Sequence, residues 1–118
     1  MDIILKRSIE WLDRLIAFDT TSRLSNLDLI ANIQKYMDEL GVPTRLTHDK
    51  DKTKANLWCT IGPQDIGGVV LSGHTDVVPI DGQERTKTPF KMSEESGKLF
   101  GRGTSDMKGF CAIALAMA

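Results

Sequence analysis

The chain predicts a layered α/β domain, and three observations predict it. Two stretches near the front repeat apolar residues at helical spacing. Short strand-like runs then alternate with Gly- and Pro-containing breaks. A continuous apolar run, residues 69–71 (Val69, Val70, Leu71), ends abruptly in Ser72-Gly73 and delivers a polar pair, His74 and Asp76. Layered packing follows from the need of helices and sheets to bury one face each. In open α/β sheets the ligand crevice lies outside the carboxyl ends of the strands, which marks that polar pair as a candidate site.

Residues 6–18 read as a helix. Ile9, Leu12 and Ile16 form one stripe, widened by Trp11, Leu15 and Phe18, with Glu10, Asp13 and Arg14 outside it. Asp19-Thr20-Thr21-Ser22 ends it, because such side chains compete for backbone hydrogen bonds. Ser25 or Asn26 caps a second helix reaching Leu40, with Ile30, Ile33, Met37 and Leu40 at helical spacing. Gly41 stands where a C-terminal glycine belongs, and Pro43 forbids continuation. Tyr36 and Met37 read as core or helix flank.

Residues 42–47 and 56–61 read as strands, the second closed by Gly62-Pro63. Residues 69–71 read as a third strand, apolar enough for burial on both faces. His48 adjoins the charge run DKDKTK and reads as a loop residue, not a ligand. Residues 89–92 and 98–100 flank SEESG as a small hairpin with glycine in its turn. The closing GFCAIALAMA is an apolar helical run without a stop signal, so the 118 residues read as the front of a longer protein.

Composition excludes several classes. Hydrophobic residues make up 41% and charged residues 26%, as in an ordinary globular chain, and 118 residues allow one modest domain. A net charge of -1, with basic residues scattered among acidic ones, argues against nucleic acid or an anionic membrane as partner. MDIILKRSIEWLDRL is broken by charge and reads as no signal peptide. No run approaches the ~18 apolar residues of a membrane span. The expectation is a cytoplasmic protein with Cys59 and Cys111 reduced and buried.

The chemistry concentrates in two clusters. In a strand, residues 74 and 76 start on the same side. A metal-bound histidine nearly always gives its other ring N–H to a carboxylate or carbonyl, so His74 fits a ligand and Asp76 the group that orients it. An ordinary hydrogen-bonded pair at a strand end is the competing reading. The second cluster, GRGTSDMKG at residues 101–109, fails both phosphate-loop patterns, and an acid among its amides favours a cation over phosphate. Asp106 reads either as a cation ligand or as the N-cap of the final helix, and Lys108 as a solvated residue of its first turn.

SGHTDVVP, then Pro89-Phe90, then GRGTSDMKGF, with 32 positions from His74 to Asp106 and LIAFDTTS near the front, is similar to the M20 family of metallopeptidases and amidohydrolases. The resemblance implies a partial three-layer metallopeptidase catalytic domain. Residues 1–118 would be its N-terminal part, with the lid and dimerisation domain and the remaining catalytic segments absent. It implies that His74 binds one metal and Asp106 bridges two, with Asp76 the catalytic residue that orients His74. The cofactor would be Zn²⁺, two ions per site, with Co²⁺ as a substitute. The resemblance further implies a cis peptide at Asp106-Met107.

The implied reaction is metal-dependent hydrolysis of the amide bond of a small-molecule N-acyl amino acid. N-acetylornithine, giving ornithine and acetate in arginine biosynthesis, is the first expectation; succinyl-diaminopimelate or an acyl dipeptide is the alternative. The full-length protein would be a homodimer through the missing domain. The general base and the other ligands would lie beyond Ala118, so the chain alone is expected to bind zinc weakly and to be inactive. One departure is visible: Arg85 stands near the position where the family usually carries tryptophan. A reading from another class is a non-catalytic α/β binding module, in which His74, Asp76 and Asp106 are structural and no metal binds.

Overall fold

Helix α1 spans Ile3–Ile16 in the computed structural model, which describes residues 2–82 and 87–118. It starts three residues before the apolar stripe requires, because Asp2 caps it: the Asp2 carboxylate accepts from the Ile4 N–H at 2.6 Å. Trp11, Leu12, Leu15 and Ile16 form its buried face, as the stripe predicts.

Helix α2 spans Leu27–Glu39 and buries Leu29, Ile30, Ile33 and Met37. The choice between Ser25 and Asn26 resolves into two separate jobs. Asn26 holds the N-cap position in the backbone but does not cap. Its amide instead donates to the Ala55 carbonyl and accepts from the Ala55 N–H, both at 2.9 Å. Ser25 Oγ accepts from the Leu27 N–H at 3.1 Å. At the other end Gly41 takes φ 72, Gly41 N–H donates to Asp38 O, and Val42 N–H donates to Met37 O. That pair of bonds is the glycine-ended helix stop expected at Gly41.

Strands β1, Thr44–His48, and β2, Ala55–Cys59, pair antiparallel, with Thr44 opposite Cys59 and His48 opposite Ala55. His48 thus belongs to a strand and not to the charged loop. Strands β3, Ser93–Glu95, and β4, Lys98–Phe100, form the second hairpin. Its turn is only Ser96 and Gly97, both at positive φ, so the ladder reaches further into SEESG than expected. A turn over Thr104–Lys108 leads into helix α3, Gly109–Met117, which packs on α1.

The mixed α/β content is as predicted, but the strand expected at residues 69–71 does not form. Val69, Val70 and Leu71 are 89%, 63% and 58% exposed. A strand buried on both faces needs a ladder on each side, and no strand among the described residues lies beside this run. The two sheets are separate antiparallel hairpins, and the one parallel bridge among the described residues joins Thr21 to Val77. The cysteines also differ from expectation: Cys59 and Cys111 are free, as predicted, but only half-buried.

Candidate metal centre

Three segments converge on the predicted site. The first is the loop carrying His74, Asp76 and Val77. The second is the residue 19–23 segment after α1, expected only to break the helix. It straps the first: Val77 N–H donates to Thr20 O at 3.0 Å, Ser22 N–H donates to Val77 O at 3.1 Å, and Thr20 Oγ1 donates to Thr75 O at 2.6 Å. Asp19 shapes the strap locally, its carboxylate accepting from both the N–H and the hydroxyl of Thr21. Arg23 adds an ion pair to Asp81 at 3.0 Å.

The third segment is the turn at residues 101–109, and its glycines explain how closely it approaches. Gly103 sits at φ 90, and a Cβ there would lie 2.8 Å from Val77 Cγ1. A Cβ on Gly109 would run into the Thr104 carbonyl oxygen. Asp106 is therefore not the N-cap of α3; Lys108 holds that position and makes no side-chain cap bond. The Asp106-Met107 peptide is cis, as the resemblance implied.

Lys108 corrects the expectation of a solvated side chain. It is fully buried, its Nζ donating to the Phe18 carbonyl at 2.9 Å, so it ties the third segment to the base of the strap. Burial pushes its pKa down to about 8, against the opposing pull of the Asp19 charge. A charge run on a surface helix has polar neighbours on every side; an apolar FCAIALAMA following Lys108 was the available signal that this lysine heads inward.

The three predicted residues meet. His74 Nε2 lies 2.9 Å from Asp106 Oδ1. His74 Nδ1 lies 3.1 Å from the Asp76 carbonyl and 3.2 Å from Asp76 Oδ1. Asp76 and Asp106 thus address opposite nitrogens of one ring. Partial burial alone would push the His74 pKa down. The bonds to Asp106 and to the Asp76 carbonyl, with the charges of both carboxylates, outweigh it and hold the pKa above the ordinary histidine value.

This arrangement fits a metal on the Nε2 side. With the ring proton on Nδ1, where Asp76 accepts it, Nε2 would be the donor atom and Asp106 its partner ligand. His74 Nε2 and Asp106 Oδ1, 2.9 Å apart, are the nitrogen and oxygen donor types that zinc takes, and this pair would hold the ion. Asp76 sits behind the ring and is no third ligand, and among the described residues no group of three such donors forms. An apolar groove of about 540 Å³ lined by Leu5, Ile9, Leu99 and Ile113 is lined by none of His74, Asp76 and Asp106. Arg85 lies outside the described residues.

Residues 70–118 match the peptidase family M20/M25/M40. That stretch is M20-family sequence. It contains both predicted clusters, so the resemblance carried by SGHTDVVP and GRGTSDMKGF holds. An acetylornithine deacetylase of Shigella sonnei (strain Ss046) is 42% identical over 92 residues, which are 77% of this chain and 24% of that relative. The chain thus spans about a quarter of the length of this curated relative. No helix among the described residues is long and apolar enough to cross a membrane.

Proposed function

We propose that this chain forms one wall of the metal site of a zinc-dependent M20 amidohydrolase that cleaves the amide bond of an N-acyl amino acid. N-acetylornithine is the substrate best supported, through the likeness to an acetylornithine deacetylase. The observation that carries the proposal is His74 held between Asp76 and Asp106, inside the segment that matches the family.

In this reading His74, through Nε2, and Asp106 would hold the zinc. Zinc, when bound, lowers the pKa of a water and polarises the scissile carbonyl. The protein's own contribution is positional. Asp76 keeps the proton on Nδ1 and the ring in one orientation, so that Nε2 presents its lone pair. The strap and the buried Lys108 hold the loop and the Asp106 turn at a fixed separation. Residues 1–118 would be the N-terminal part of a three-layer catalytic domain in which residues 69–71 join a larger sheet, with a dimerisation domain elsewhere in the whole enzyme.

Two protein ligands are one fewer than the usual three of a catalytic zinc, so the chain alone should bind zinc weakly and not turn over N-acetylornithine. Equilibrium dialysis against zinc tests the ligand set. His74→Ala and Asp106→Ala should abolish binding, while Asp76→Ala should retain it with affinity reduced about tenfold to a hundredfold. Unchanged zinc uptake in both ligand variants would sink the proposal, and no zinc uptake by any of the chains would favour a binding module with a structural histidine.

A further inference from the structure

We infer that Ser22 is a positioning residue of the same site, acting on His74 through Asp76; this deepens the reading above and rests on it where metal is concerned. Ser22 Oγ donates to Asp76 Oδ2 at 2.7 Å, while Asp76 Oδ1 faces His74 Nδ1 at 3.2 Å. The two oxygens of one carboxylate are thus taken by two different partners. A carboxylate held at one oxygen only is free to rotate about its Cβ–Cγ bond; held at both, its plane is set. Ser22 therefore fixes the direction from which Asp76 meets the ring.

The placement of Ser22 is built into the backbone and does not depend on its own rotamer preference alone. Its N–H donates to Val77 O, Val77 N–H donates to Thr20 O, and Thr21 bridges Val77 in parallel. The Ser22 carbonyl also accepts from Lys54 Nζ. These bonds pin the residue on both sides of its Cα, directly beside the residue that follows Asp76. The hydroxyl has one proton and a second acceptor nearby, Val77 O at 3.3 Å. The carboxylate wins on both distance and charge. Asp76 is 54% exposed and water competes for it, so the effect of Ser22 is one of orientation and is modest in size.

One backbone contact limits what Ser22 has to do. The Asp76 carbonyl also accepts from His74 Nδ1 at 3.1 Å, so the ring keeps one partner on that side without the carboxylate. Ser22 is exposed, so a threonine there has room for its methyl group and keeps the hydroxyl. Alanine at position 22 removes the donor without disturbing the backbone bonds of the strap.

The test uses the 118-residue chain with Ser22→Ala, Ser22→Thr, Asp76→Ala and the Ser22→Ala/Asp76→Ala double variant. In metal-free protein, at a pH where the ring is neutral, the side-chain ¹⁵N shifts of His74 report which nitrogen carries the proton. Ser22→Ala should move them toward the Nε2–H form, and Ser22→Thr should leave them at the wild-type position. In zinc dialysis Ser22→Ala should weaken binding about threefold to tenfold, Ser22→Thr should not, and Ser22→Ala should add nothing once Asp76 is alanine. Wild-type ¹⁵N shifts in Ser22→Ala, or a full additional loss on top of Asp76→Ala, would overturn the inference. Shifted ¹⁵N signals in Ser22→Ala, together with no zinc uptake by the wild-type chain, would sink the metal reading and leave the positioning role standing.

Discussion

At the scale of single residues, two titrating side chains carry the account. His74 has a carboxylate at each ring nitrogen, and its pKa lies above the ordinary histidine value. Zinc at Nε2 has to displace the proton that this arrangement favours. Affinity should therefore fall as pH drops below the raised pKa and level off above it. Zinc titrations at stepped pH read this directly, and an affinity flat from acid to alkaline pH would contradict it. Lys108 works in the opposite sense. Its pKa is about 8 in the folded chain against 10.5 ordinarily. Below about pH 8 both folded and unfolded chains hold the proton, and the full cost of the buried charge stands. Between those two values the folded chain has lost a proton that the unfolded chain keeps, so folding gains stability as pH rises, on the order of 3 kcal/mol across the window. Lys108→Met should remove that slope, as read from urea midpoints at about pH 7.5 and about pH 10.

At the scale of elements, what local pattern decides was legible and what distant partners decide was not. The stripe of Leu12 and Ile16, the glycine stop at Gly41 and the hairpin around Gly97 all follow from spacing and turn chemistry, and all are present. The 69–71 strand failed because its signal, apolarity on both faces, describes an environment supplied by other strands. The strap was not legible for the same reason: Asp19, Thr20, Thr21 and Ser22 read as a helix breaker, which they are, and nothing local says that their remaining donors reach Thr75, Asp76 and Val77. Asn26 is the clearest case of a residue with two readings. Its side chain makes two bonds to the Ala55 backbone, whereas Ser25 caps α2 with one. Asn26→Ala should therefore cost more than Ser25→Ala, about 2 kcal/mol against about 1 kcal/mol. Urea denaturation of both variants checks the order, and an equal or reversed order would contradict the docking role given to Asn26.

At the scale of the whole molecule, the surface is too large for a closed domain. The chain exposes 8046 Å², against about 6400 Å² for a compact monomer of its mass. The excess is apolar in part: Val69, Val70 and Leu71 are bare, and so is one face of α3, at Ile113 and Met117. A helix apolar all round belongs inside a larger core. The site therefore rests on α1, α3 and the strap, while the 69–71 run and the outer face of α3 stand open. Exposed apolar surface of this kind drives self-association. Sedimentation velocity should show the chain associating as its concentration rises, and Val70→Lys with Ile113→Lys should suppress it. A wild-type chain that stays monomeric at every concentration would contradict that expectation. The sequence located the cluster of His74, Asp76 and Asp106 because these residues are set by short motifs and by the glycines that hold the turn. It could not show that this cluster stands beside an open apolar layer, because burial is decided by contacts between segments distant in sequence.

The central claim is that His74 and Asp106 bind one divalent metal together. Its most direct test is the visible absorption of Co²⁺ titrated into the chain and into His74→Ala and Asp106→Ala. A protein-dependent cobalt spectrum should develop in the wild-type chain and be lost in both variants. The same spectrum in all three chains would contradict it.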